Sequence, residues 1–71
     1  MLPPLDDPIN PPLLEAQGGD EALRLAALGY RVLWIETTPE AQQAARRRMM
    51  AQPFVVQNRI EEIVLRCVGG S

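Results

Sequence analysis

Large apolar side chains are densest over residues 20–36, where the sequence is DEALRLAALGYRVLWIE. The first half consists of strong helix formers behind Asp20, a favourable N-cap residue, and is followed by Gly29, a common helix-terminating residue. The second half is rich in β-branched and aromatic residues, which favours a buried strand. The pattern therefore predicts a helix over residues 20–28 and a strand over residues 30–36, with the core formed around them.

A second helix is indicated by the sequence TTPEAQQAARRRMMAQ. Thr38 is suited to the N-cap, Pro39 to the first helical position and Glu40 to the first turn, where the helix dipole favours a carboxylate. Pro53 cannot continue a helix, because its ring clashes with the preceding turn. We therefore predict a helix over residues 39–52.

The segment that follows Pro53 fits two elements. At about 100° per residue its apolar residues fall on one arc, which predicts an amphipathic helix over residues 54–67. Its β-branched content also fits a strand over residues 62–68 that pairs with the strand at residues 30–36. We favour the helix because the arc is clean, which leaves the central strand without a partner unless another chain supplies one.

Together these elements predict a small α+β domain, mostly helical, over residues 13–71. Residues 13–19 are expected to form a short helical turn that ends at the Gly18–Gly19 pair. If residues 20–36 instead formed one unbroken helix, the chain would be an all-α three-helix protein. That helix would be apolar on almost every side, so helix, glycine and strand is the preferred interpretation.

Five of the seven prolines lie in residues 1–12, which predicts an extended arm outside the domain. The arm fits a disordered tail as well as it fits a strap that binds along a partner. Proline-rich segments bind at a low entropic cost because their extended conformation is preformed. Its apolar residues would anchor the strap, namely Leu2, Leu5, Ile9, Leu13 and Leu14.

Composition argues against an enzyme. The chain of 71 residues contains no histidine and one cysteine, so the commonest general base, an intrachain disulfide and a cysteine-based zinc cluster are all excluded. Glu61 and Glu62 are adjacent and would diverge on a helix, so they do not form a two-carboxylate site. We therefore expect no catalytic residue, no cofactor and no metal.

The chain is near the lower size limit for a self-sufficient core, so it is expected to bind a protein partner or to self-associate. No apolar run is long enough to cross a membrane. The single cysteine fits a reducing compartment. The expected location is cytoplasmic, or within a virion or another complex assembled inside the cell.

Charge is unevenly distributed. All seven basic residues are arginines and lie from Arg24 onward, where four glutamates leave a net charge of +3, although the whole chain carries −2. The run from Arg46 to Arg48 suits a protein interface or nucleic acid, but consecutive helical positions spread over about 200°, so at most two of these arginines share a face. The candidate partner-binding residues are Leu5, Ile9, Leu13, Leu14, Trp34, Arg46, Arg47 and Arg48.

These patterns favour a non-catalytic protein–protein interaction module. We expect a small structural or assembly subunit of a larger multi-chain complex, virion components included. The alternative is a small nucleic-acid-binding or transcription-modulating protein that uses the arginine-rich helix.

Overall fold

A computed structural model gives the fold of the chain, and the structure describes residues 1–66. Helices and strands alternate, and the two crossovers between strands contain one and two helices respectively. The elements are β1 (Leu13–Gln17), α1 (Gly19–Leu28), β2 (Arg31–Glu36), α2 (Pro39–Met50), α3 (Phe54–Arg59) and β3 (Ile60–Leu65).

The three strands form one parallel sheet in the order β1-β2-β3. Trp34, in the middle of β2, pairs with Ala16 on β1 and with Ile63 on β3. Parallel strands need long crossovers, which the helices provide, and the strand between two neighbours is the most buried. The apolar run of β2 is explained by this central position.

Local sequence signals determine both ends of α1. A Cβ atom at position 19 would lie 2.7 Å from Cζ2 of Trp34, so glycine allows the helix to begin close above the tryptophan. At the other end Gly29 has a φ of 118° and donates its N–H to the Ala26 carbonyl at 3.1 Å. Few residues other than glycine adopt this conformation, which turns the chain into β2.

The N-terminus of α2 has the predicted cap. Thr38 Oγ1 accepts a hydrogen bond from the Ala41 N–H at 3.1 Å, and Pro39 occupies the first helical position. The helix ends at Met50, and after a short turn Pro53 precedes α3. Proline therefore separates α2 from α3 as its chemistry requires.

The core lies between the helices and one face of the sheet. Trp34 is its largest fully buried side chain, with 1% of its surface exposed. Ile35 is also buried, although it is not a member of the core cluster, and its place in β2 turns it to the opposite face of the sheet. The core cluster comprises Ala16, Ala22, Leu25, Ala26, Tyr30, Val32, Trp34, Ala45, Val56, Ile60 and Ile63.

Several predictions are confirmed. The chain forms one small domain that mixes helix and strand, consistent with α+β. The helices predicted over residues 20–28 and 39–52 and the strand over residues 30–36 are present with boundaries shifted by one or two residues. Asp20 lies in the first turn of α1, and Gly18 occupies the N-cap. The all-α alternative is wrong because residues 31–36 form the central strand.

The helix predicted over residues 54–67 is wrong beyond Arg59, where the chain enters β3. Val32 pairs with Ile60 and Leu33 pairs with Glu62, so Glu61 is an extra residue that forms a bulge. The bulge places Ile60 and Ile63 in the core at a spacing of three, which imitates a helical period. The alternative prediction, a strand that pairs with the central strand, is therefore confirmed for this segment. Cys67, the last residue of the predicted helix, lies outside the described residues.

Two further expectations are corrected by the sheet. Residues 13–17 form β1 rather than a helical turn, because they pair with β2 along their whole length. The central strand was expected to lack a partner in the chain, yet it is hydrogen-bonded on both sides by β1 and β3. Tertiary pairing overrides the local helix propensity of LLEAQ.

Residues 1–12 contain neither helix nor strand, and they contact the start of β2. The Tyr30 hydroxyl donates a hydrogen bond to the carbonyl of Pro3. Arg31 donates its Nε–H to the Pro11 carbonyl at 2.8 Å and its backbone N–H to the Pro12 carbonyl at 3.1 Å. The proposed role of this segment as a strap for a partner stays a prediction.

Candidate functional site

The end of α2 and the start of α3 carry the most exposed large apolar side chains within residues 13–66. Phe54 is 79% exposed, Met50 is 72% exposed and Val55 is 55% exposed. They lie within six consecutive residues on either side of Pro53. We call Met50, Phe54 and Val55 the Phe54 corner.

Hydrogen bonds connect the two helices that form the Phe54 corner. The Gln57 side chain donates to the Gln52 carbonyl at 2.7 Å and to the Met50 carbonyl at 3.3 Å. The backbone N–H groups of Val56 and Gln57 both donate to the Pro53 carbonyl at 3.0 Å. The end of α2 and the first turn of α3 are thereby connected, so the exposed apolar side chains lie on a hydrogen-bonded stretch of backbone.

A second surface follows the outer edge of β3. A groove of about 530 Å³ runs between this strand and α2, which contributes Gln42, Arg46 and Met49 to its wall. The Gln42 side chain donates a hydrogen bond to the Ile63 carbonyl at 3.0 Å. Because the Ile63 carbonyl faces α2 and the groove, it points away from β2.

The three consecutive arginines of α2 have different surroundings. Arg48 forms an ion pair with Asp20 at 2.6 Å, which connects the end of α2 to the start of α1. Arg46 lines the groove beside β3, and Arg47 is exposed in the last turn of α2. The structure therefore does not bring the three side chains together on one surface.

The other candidate residues are distributed over the molecule. Ile9 is 93% exposed, whereas Leu5 and Leu13 are about half exposed at 42% and 48%. Leu14 packs against the core. Trp34 is buried, and its Nε1–H donates to Glu36 at 2.8 Å, so it presents no surface to a partner in this conformation.

Sequence reasoning missed the Phe54 corner. One signal for it was present, because at about 100° per residue Val55 falls beside Arg59 and Glu62 on the polar side of the helical projection. A large apolar side chain on the polar side of a helix has no core to enter. Met50 carried no comparable signal, since it follows Met49 at the end of a helix whose inward face is made of alanine.

Within the part of the chain that the structure describes, no group of three or more aspartate, glutamate, cysteine or histidine side chains is arranged to hold a metal ion. Every buried side-chain nitrogen and oxygen atom in residues 1–66 has a hydrogen-bond partner. Crossing a membrane would need a longer, more apolar helix than any of those over residues 1–66.

Comparison of the chain with protein-family models, with curated proteins and with solved structures found no match. The function is therefore inferred from the surfaces described above.

Proposed function

We propose that the protein is a non-catalytic protein–protein interaction module. It acts as a small structural or assembly subunit of a larger complex, for which a virion is one setting, and it binds a protein partner through the Phe54 corner. The observation that supports this proposal is the exposure of Phe54, Met50 and Val55 together on the surface.

Exposed aromatic and methionine side chains are enriched at protein interfaces, and a few such residues supply most of the binding energy. Phe54 has 79% of its surface available for burial by a partner. Burying a phenylalanine side chain contributes about 1.5–3 kcal/mol. The proposed partner therefore offers an apolar pocket that receives this ring.

The hydrogen-bonded backbone of the corner supports the proposal. Association costs less free energy when the binding groups are already ordered, since little conformational entropy is then lost. The Gln57 side chain fixes the Gln52 carbonyl at 2.7 Å, and the two N–H groups bound to Pro53 fix the first turn of α3. Phe54 is thus presented in a preorganised position.

The proposal is tested by native copurification with Phe54→Asp and the matched control Gln43→Asp. Both variants introduce one carboxylate at an exposed position of a helix. We expect wild type and Gln43→Asp to retain a stoichiometric partner, and Phe54→Asp to lose it while its thermal unfolding stays cooperative. Equal retention by both variants would contradict the proposed role of the corner.

The nucleic-acid alternative has less support, because Arg48 is paired with Asp20 and the arginines do not share one surface. It is tested by duplex and single-strand binding of wild type and an Arg46/Arg47/Arg48→Ala variant. Tight binding by wild type that weakens steeply with salt and is lost in the variant would favour the alternative.

A further inference from the structure

The outer edge of β3 is a second interaction surface. β3 is at the end of the strand order, and within residues 1–66 no strand pairs with its outer side. The Arg66 N–H donates to the Glu36 carbonyl at 2.8 Å, and the Ile63 carbonyl accepts from Gln42 on α2. Backbone groups alternate along a strand, so those of Ile63 and Leu65 point outward while those of Val64 and Arg66 point toward β2.

The side chains of β3 alternate between the two faces of the sheet. Ile63 pairs with Trp34 and belongs to the core beneath the helices. Glu62 and Val64 therefore lie on the opposite face, which no helix within residues 1–66 covers. Arg66 lies on this face as well, because its guanidinium bridges to Glu15 of β1 at 3.3 Å.

We propose that a second copy of this chain binds at this edge, with the two β3 strands antiparallel and Val64 opposite Val64 on a two-fold axis. This proposal goes beyond the proposed function, because it adds a second surface with a second copy of the chain as its partner. Ile63 of each copy then lies opposite Leu65 of the other, and both present outward N–H and C=O groups. The two three-stranded sheets become one sheet of six strands.

Charge complementarity selects this register. Around Val64, Glu62 of one copy lies directly opposite Arg66 of the other, and symmetry repeats the pair. The register centred on Ile63 keeps the backbone hydrogen bonds but places Glu62 opposite Val64 and Glu61 opposite Leu65. Only the register centred on Val64 gives two pairs of opposite charge.

The contacts that Arg66 and Leu65 already make within one chain permit the two β3 strands to pair. The Glu15–Arg66 ion pair is exposed, with distances of 3.3 and 3.4 Å, and a guanidinium has five N–H donors with which to serve two carboxylates. The groove of about 530 Å³ beside β3 leaves the helical side of the edge open. Leu65, which is 41% exposed, lies directly opposite Ile63 of the second copy.

The test is sedimentation of the purified full chain in the micromolar range, with no other protein present. We expect a wild-type dimer. Glu62→Arg or Arg66→Glu alone should weaken the dimer about tenfold or more, because each puts like charges opposite each other twice. The control Asp6→Arg makes the same charge change as Glu62→Arg in the N-terminal segment and should leave the dimer unchanged.

The charge-swapped variant Glu62→Arg/Arg66→Glu restores opposite charges and should dimerise within about threefold of wild type. An equimolar mixture of the two single variants should form a mixed dimer. A monomeric wild type, assembly that continues beyond the dimer, or a dimer that the single reversals leave intact would overturn the proposal. The Phe54→Asp experiment is independent of these outcomes, because Phe54 lies outside β3, so either proposal can fail while the other stands.

Discussion

The two edge strands of the sheet differ in what they present to a second copy of the chain. β1 begins directly after Pro11 and Pro12 and carries Glu15 at its centre, with no basic residue in LLEAQ. β3 and the residue after it carry Glu62 and Arg66 at equal distances from Val64. A two-fold axis therefore pairs opposite charges at β3, whereas at β1 it leaves Glu15 opposite an uncharged residue or another Glu15.

The difference in charge between β1 and β3 decides whether copies of the chain form a closed dimer or an open filament. Pairing of β3 with β3 uses one edge of each copy and ends at the dimer. Pairing of β3 with β1 of another copy would leave a new pair of edges free and continue into a filament. An edge strand whose outward N–H and C=O groups are unpaired can add strands from other copies and so aggregate. The charges along β1 and β3 determine whether the closed dimer or the open filament is favoured.

The largest expected effect is on stability and contrasts Ile63 with Leu13. Ile63 is 7% exposed in the core, so Ile63→Ala should lower the free energy of unfolding by about 2–5 kcal/mol. Leu13 is 48% exposed on β1, so Leu13→Ala should cost less than about 0.5 kcal/mol. Urea unfolding at one protein concentration measures both, and equal losses would contradict the placement of Ile63 beneath the helices.

The next effect is on association and uses proline to remove one outward N–H from each edge. Leu65→Pro deletes a donor that the dimer needs twice and should weaken the dimer about tenfold or more. Gln17→Pro deletes the equivalent outward donor of β1, because the Gly18 N–H is the one that bonds Ile35 in β2. Gln17→Pro should leave the dissociation constant of the dimer unchanged in sedimentation equilibrium. If Gln17→Pro weakens the dimer and Leu65→Pro does not, the interface is formed by β1 instead.

The smallest expected effect comes from a variant that strengthens the dimer instead of weakening it. The Gln42 side chain competes for the Ile63 carbonyl, which it binds at 3.0 Å. Gln42→Ala should therefore tighten the dimer by about fivefold, the equivalent of about 0.5 kcal/mol at each of the two symmetry-related Ile63 carbonyls. The neighbouring exposed Gln43→Ala serves as the control, and a dimer weakened by Gln42→Ala would show that this side chain supports the interface instead.

Elements with strong local signals were predictable from the sequence. The Thr38 cap and Pro39 determine the start of α2, and Gly29 determines the end of α1. The β-branched and aromatic residues of β2 identify a buried strand because its central position in the sheet needs an apolar run. In each case the residues that carry the signal lie within the element or directly beside it.

Elements that depend on distant pairing were not predictable. LLEAQ consists of residues that favour helix, and it is a strand only because it lies beside residues 31–35. In β3 the extra residue Glu61 changes the alternation of a strand into a spacing of three between Ile60 and Ile63. On a helical projection, a bulged strand with this spacing looks the same as a helix. The bulge becomes visible only in the pairing with Val32 and Leu33.

The candidate surfaces also combine features that local sequence predicts with features that depend on tertiary packing. The arginines of α2 could be placed on a helix from the sequence, but the pairing of Arg48 with Asp20 depends on how α1 and α2 pack. Phe54 is exposed at the start of α3, whose buried residue is Val56. The Arg48–Asp20 pair does not follow from local pattern alone, and the exposure of the corner was signalled only by the place of Val55 on the helical projection.

The measurement that tests the central claim most directly is amide hydrogen exchange at single residues as a function of protein concentration. We predict that the outward N–H groups of Ile63 and Leu65 become protected as the concentration rises, while those of Leu13, Glu15 and Gln17 on β1 do not. Protection of Ile63 and Leu65 that does not change with concentration, or protection that appears on β1 instead, would contradict a dimer formed through β3.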